Sequence, residues 1–228
     1  MATAKEDLLS RVSGKFSTIL VDPPWFFNNR TGKVGPEHRR LYRYPIMKME
    51  EILDLPIHEF VAPRCHLYLW VPNALIDEGL QVMKHWGFTY KTNLIWYKTR
   101  KDGGPDRRGV GFYFRNVTEM VLFGIKSPNN EPVFRTRKPW NIPNIIIEPK
   151  RNHSRKPDAL YKTIERCSYP PFLELFARYP RKGWTQWGNE MESTLTEHLL
   201  EQSRSEKQLG QGCLVCWRQD REACIPAL

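Results

Sequence analysis

The feature that most constrains this chain is a β-rich apolar run, Phe16 to Val21, that stops at Asp22-Pro23-Pro24-Trp25. Two consecutive prolines cannot donate to a sheet ladder, and Pro24 pushes Pro23 into an extended conformation. The segment therefore reads as a buried strand that opens abruptly into a loop. Strand-like runs recur at His66–Val71, Tyr90–Tyr97, Met120–Ile125, Asn144–Ile147 and Phe172–Ala177. Helical spacing appears between them: a short helix over Met47–Leu55, one opened by Pro72 and Asn73 that runs to about Trp86 and stops at Gly87, and one over Lys156–Cys167. Such alternation predicts an α/β fold with a mostly parallel sheet and helices on both faces, in which ligands sit beyond the carboxyl ends of the strands.

The 228 residues, 40% hydrophobic, suffice for one core. Residues 11–190 are expected to form that domain and 191–228 a peripheral or disordered tail. Three segments rich in basic and turn-forming residues, 28–43, 100–115 and 127–155, are expected to loop over the active face. The formal charge of +10 suits a partner made of phosphates, because fixed Lys and Arg displace condensed counterions. The five cysteines, an odd number, and the lack of a leading apolar signal stretch suggest a reducing compartment. No apolar run approaches the roughly 20 residues that cross a bilayer, so no membrane partner is expected. CLVC at 213–216, with Cys224 and His198, lacks a second CxxC, and no metal site is expected there.

The loop after the first strand carries a specific chemistry. An amino group attached to a purine or pyrimidine ring is a poor nucleophile, because its lone pair is delocalised into the ring. Acceptors aimed at its N–H bonds draw that pair out of conjugation. The Asp22 carboxylate suits one N–H and the Pro23 carbonyl, held by Pro24, the other. The Trp25 indole could stack on an extruded base, an interaction worth about 1–3 kcal/mol. The alternative is a plain strand-ending turn with Trp25 plugging the core.

DPPW at 22–25, HLYLWVPN at 66–73, NLIWYK at 93–98, EMVLFGIK at 119–126, HSRKPDALY at 153–161 and FLELFARYPRKGWTQWGNE at 172–190 follow in one order. Together they resemble the adenine-N6 methyltransferases of the MT-A70 family, over roughly residues 11–190. The ELFAR and GWTQWGNE forms are most similar to its bacterial and phage branch. The resemblance implies a Rossmann-like methyltransferase fold with the catalytic motif ahead of the cofactor motifs, and S-adenosyl-L-methionine as cofactor.

The resemblance also implies roles for individual residues. Asp22, Pro23, Pro24 and Trp25 form the catalytic motif. Lys156 pairs with the methionine carboxylate of the cofactor, a job suited to a point charge. Glu174, Phe176 and Arg178, expected on one side of a strand by alternation, line the adenosyl and ribose pocket. Asn189 and Glu190 hold the ribose and adenine, with Glu190 standing where the eukaryotic enzyme has Gln. Arg181 replaces an Asn of that enzyme and is not expected to contact the cofactor. Residues 26–43 combine aromatics with cationic side chains, among which Lys33, Arg39 and Arg40 are the expected phosphate contacts. The implied substrate is nucleic acid, DNA favoured over RNA. The implied location is cytoplasmic for a bacterial or phage chain and nuclear for a eukaryotic one. Pairing with a second copy or a related chain stays open, as do a catalytically silent nucleic-acid-binding subunit and methylation of cytosine.

Overall fold

A computed structural model describes residues 3–26, 46–106, 113–129, 134, 141–150 and 155–188. It begins with an element the polar N-terminal segment conceals. Helix α1, Ala4–Arg11, opens on a capping box: Thr3 Oγ1 accepts from the Glu6 N–H at 3.2 Å, and the Glu6 carboxylate accepts from the Thr3 N–H at 2.7 Å. Its one buried side chain, Leu8, is wholly inside the core, so the fold takes in residues ahead of 11. Strand β1 (Phe16–Val21) follows, then helix α2 (Met49–Leu53), strand β2 (Val61–Val71) and helix α3 (Ile76–His85). Gly87, at φ +80°, ends that helical region in the left-handed conformation that glycine adopts without strain. Strands β3 (Thr89–Thr99), β4 (Thr118–Lys126) and β5 (Ile145–Pro149), helix α4 (Asp158–Cys167), and strands β6 (Phe172–Leu175) and β7 (Trp184–Trp187) complete the order.

The seven strands form one sheet in the order β5-β3-β4-β2-β1-β6-β7. Pairing is parallel for β1 with β2 and β6, for β6 with β7, and for β3 with β5. Strand β4 lies antiparallel between β2 and β3. Traced through these pairings, every strand but β4 runs the same way, so the sheet is mostly parallel with one reversed member.

Period-two alternation divides the core between the two faces. Ile19, Val21, Leu67, Leu69 and Val71 join Leu8, Ile52, Val82 and Met83 of α1, α2 and α3 on the first face. Leu20, Tyr68, Trp70, Leu94, Trp96 and Val121 join Leu160 and Ile164 of α4 on the second. Helices therefore cover both faces, and Leu160 and Ile164, fully buried, each contribute about 1.5–3 kcal/mol. Helix α3 lies so close to the sheet that a Cβ on Gly79 would come within 2.6 Å of Val71 Cγ2.

The reversed strand corrects one expectation. Because β4 runs backwards, its exit lies at the opposite edge from the carboxyl ends of the other strands, where Lys126 pairs with Cys65. The segment 127–155 thus starts away from the active face. Phe134 within it packs against Phe123 and His66, with centroids 5.9 and 5.3 Å away, as part of the second core face. The segment 100–115, by contrast, leaves the carboxyl end of β3 and returns to the start of β4 on the active rim. No helix among the described residues is long and apolar enough to cross a membrane.

Candidate active site

One rim of the sheet gathers the carboxyl ends of six strands and the amino end of β4. Asp22 is the first residue past β1, and its N–H still reaches the Leu175 carbonyl at 3.4 Å. The following loop is tied at each residue. The Trp25 N–H donates to the Pro23 carbonyl at 2.8 Å, the Met47 N–H to the Pro24 carbonyl at 2.9 Å, and the Phe26 N–H to the Met47 carbonyl at 3.2 Å. The Trp25 indole N–H donates to the Trp70 carbonyl on β2 at 2.8 Å. Trp25 is only 8% exposed and belongs to the first core face. The indole is therefore a fastener of the loop, close to the core-plugging alternative, and the stacking surface expected of it is not open among the described residues.

The same alternation that sorts the core lays out the charges. Leu20, Trp96 and Val121 face α4, so Asp22, Lys98 and Glu119, each two residues on towards the rim, emerge on that same face. Lys156, which follows β5, completes the group. Its Nζ is 3.2 Å from Asp22 Oδ2 and 3.2 Å from Glu119 Oε2, and it lies 4.1 Å above the centre of the Trp70 ring. Lys98 Nζ approaches Glu119 Oε1 at 3.3 Å. Acid and base thus alternate along the rim: Asp22, Lys156, Glu119, Lys98.

Burial alone would raise the pKa of Glu119, but Lys156 and Lys98 outweigh it and hold the carboxyl at about 2. Burial opposes the charge on Lys156, yet Asp22 and Glu119 reverse that and raise its pKa. Both groups are charged at neutral pH. Lys156 was an expected site residue; Glu119, Lys98 and Trp70 were not. Each lies within a motif that was legible, but their convergence depends on the reversed direction of β4.

The three residues expected to share one side of a strand do not. Strand β6 ends at Leu175, and Phe176 takes φ +63°, which breaks the alternation. Glu174 faces α4, 8% exposed, and accepts from the Tyr161 hydroxyl at 2.6 Å and from Gln186 Nε2 at 2.7 Å. Burial raises its pKa. The Phe176 ring instead packs edge-on against Trp187, 5.0 Å away, on the first face. Arg178 lies beyond the strand, partly buried. Arg181 is committed to α4: its Nε is 2.9 Å from Glu165 Oε1, and its guanidinium sits 4.3 Å from the Tyr161 ring centre. Asn189 and Glu190, the cofactor residues expected after β7, lie outside the described residues. So do Lys33, Arg39 and Arg40, and the tail 191–228 with its CLVC.

Comparison with known proteins supplies an independent line. The family model described as MT-A70 matches residues 16–190. A Medicago truncatula protein named putative N(6)-adenosine-methyltransferase MT-A70-like is 28% identical over 187 residues, covering 79% of this chain and 27% of its own length. Type II methyltransferase M.MunI of Mycoplasma sp is 26% identical over 194 residues, covering 78% of each chain. The human N(6)-adenine-specific methyltransferase METTL4 is 29% identical over 192 residues, covering 77% of this chain and 37% of its own. The chain thus spans about a quarter of the plant relatives it matches, at 27% and 24% of their lengths, and most of the compact Mycoplasma one.

Proposed function

Since this chain belongs to the MT-A70 family, we propose that it transfers a methyl group from S-adenosyl-L-methionine to the N6 amino nitrogen of adenine in nucleic acid. The observation that carries this reading is the junction of Asp22 with Lys156 and Glu119 at the rim, beside a Pro23 carbonyl held in place by the Trp25 N–H.

The array suits the methionine end of the cofactor, which is a zwitterion. Lys156 offers a cation for its carboxylate, and Asp22 and Glu119 offer anions for its ammonium. Glu174, Phe176 and Arg178 follow from β6 on the same rim, where the adenosyl part is held in the reading from sequence. The bound cofactor supplies an electrophilic methyl group. The chain's own residues prepare the amino group. Asp22 uses Oδ2 for Lys156, which leaves Oδ1 to accept one N–H. The Pro23 carbonyl spends one lone pair on the Trp25 N–H and keeps the other for the second N–H. Two fixed acceptors pull the nitrogen lone pair out of the ring and stabilise the positive charge that develops as it is methylated. The proton then leaves to water or to Asp22.

We propose DNA as the polymer. The ELFAR and GWTQWGNE motifs resemble the bacterial and phage branch, and the relatives include the type II methyltransferase M.MunI, matched over 78% of its length. A bacterial or phage origin would place it in the cytoplasm. Pairing with a second copy or a related chain is compatible with this reading and is read out in the same preparation by sedimentation.

The test is transfer of labelled methyl to matched DNA and RNA oligonucleotides, followed by nucleoside mass spectrometry, with Asp22→Ala alongside. N6-methyladenine that forms on DNA and vanishes in the variant is the expected result. Formation on RNA alone reverses the polymer assignment. Tight binding of both polymers without product would leave a silent binding subunit as the better account.

A further inference from the structure

The Trp25 ring is buried and Phe26 beside it is half exposed, yet two far more open aromatic faces stand elsewhere on the rim. Tyr113 and Phe114 are 94% and 86% exposed, well above the next large apolar side chain among the described residues, Ile147 at 63%. They precede β4 directly. The Lys98 N–H donates to the Val117 carbonyl at 2.8 Å, which anchors the chain three residues after Phe114. Glu119 lies five residues after Phe114, so the Phe114 backbone is at most about 18 Å from the charged array.

We propose that Tyr113 and Phe114 are a stacking platform for the nucleobases that flank the target adenine, a role that rests on the function proposed above. Adjacent rings left in water are an unusual expense for a surface unless a partner covers them. The chemistry around them selects the partner. Arg115 and Asn116 are exposed next to the rings, Lys101 is exposed on the same connection, and that connection also carries Arg100, Arg107 and Arg108 in its sequence. A protein interface would need a broad apolar patch, whereas two flat rings among cations match unstacked bases on a polyanionic strand. A target adenine drawn out to reach Asp22 leaves its neighbours unstacked on at least one side. Rings within reach of the site would cover that gap.

The experiment uses the full chain with Tyr113→Ala/Phe114→Ala, and Tyr113→Trp/Phe114→Trp as the control that keeps aromatic faces. Oligonucleotides carry one adenine, with 2-aminopurine on either side as a fluorescent report of stacking. The alanine pair should weaken binding about tenfold or more, change the 2-aminopurine signal, and raise KM for the oligonucleotide more than it lowers kcat. The salt dependence of binding should keep its slope, since no phosphate contact is removed. Cofactor affinity and thermal unfolding should match wild type, and the tryptophan pair should bind as wild type does. If wild type binds and methylates while the alanine pair retains its affinity, the platform is wrong and the proposed function stands. If wild type binds no oligonucleotide, both fall. If wild type is an oligomer that the alanine pair dissociates, with nucleic-acid affinity unchanged, the rings belong to a protein interface and the proposal is overturned.

Discussion

Lys156 Nζ and Glu119 Oε2 lie 3.2 Å apart although they come to the rim from opposite strand polarities, Lys156 after the end of β5 and Glu119 near the start of the reversed β4. A wholly parallel sheet would send the beginning of β4 to the far edge, and Lys156 would face Asp22 alone. The reversal doubles the acid around one partly buried base. Lys156 therefore has two carboxylates to satisfy it, and losing either leaves it partnered.

Glu119→Gln keeps the shape and removes the charge that Lys156 and Lys98 share. The Glu119 side chain is one-third exposed, so solvent screens the pair and the loss of stability should be about 1 kcal/mol. Cofactor affinity should fall on the order of tenfold, about 1.4 kcal/mol, read by equilibrium binding. An unchanged affinity would show that the array does not hold the cofactor.

Trp25→Phe retains a ring in the core but deprives the Trp70 carbonyl of its donor. Unfolding should come about 1–3 kcal/mol easier, with a drop in methyl transfer as the loop loosens. Oligonucleotide affinity should change little. The reverse pattern, normal stability with weakened oligonucleotide binding, would restore the indole to the role of a stacking surface.

Two groups, the buried His66 and the partly exposed Glu119, set the acid limb of stability. Burial pulls the pKa of His66 from 6.5 down to about 4, so the unfolded chain takes up a proton first as pH falls. Its contribution, on the order of 3 kcal/mol, is present above pH 6.5 and lost towards pH 4. Glu119, held at about 2 against an ordinary 4.5, contributes above pH 4.5 and loses that contribution towards pH 2. Denaturation across pH should show His66→Gln flattening the upper window and Glu119→Gln the lower one.

Ser168→Ala tests a buried polar knot on the second face. Ser168 Oγ is 2.7 Å from His66 Nδ1 and 2.8 Å from the Tyr68 hydroxyl. The substitution strands both groups, at about 1–3 kcal/mol for each that finds no water. A fall in Tm with kcat unchanged is expected, because this knot lies below the rim.

Much of this was written in the chain, and the exceptions have physical causes. The run that ends at Asp22, and the helical spacing of 158–167, survive in the fold because each is a local pattern facing a core. Helix α1 was concealed because a single buried Leu8 makes no periodicity, although the Thr3 and Glu6 of its capping box were visible. Strand β7 was overlooked because only Trp184 and Trp187, its two ends, are buried. Phe176 breaks the alternation expected of it through a left-handed backbone that no residue type announces. Glu119 and Lys98 stood in legible motifs, but only strand direction, a property of the whole sheet, brings them together.

The bond from the Trp187 indole N–H to the Asp7 carboxylate, 2.7 Å long, joins residues 180 positions apart. A ribosome releases α1 well before β7, so Asp7, which also pairs with Arg11 of its own helix at 3.4 Å, gains the Trp187 indole only late in synthesis. Closing so long a loop is slow and comes late in folding. The sheet edge that leads into the proposed ribose and adenine contacts is consequently finished last, and a nascent chain stalled before Trp187 carries the DPPW loop without Asn189 and Glu190, the residues proposed to make them.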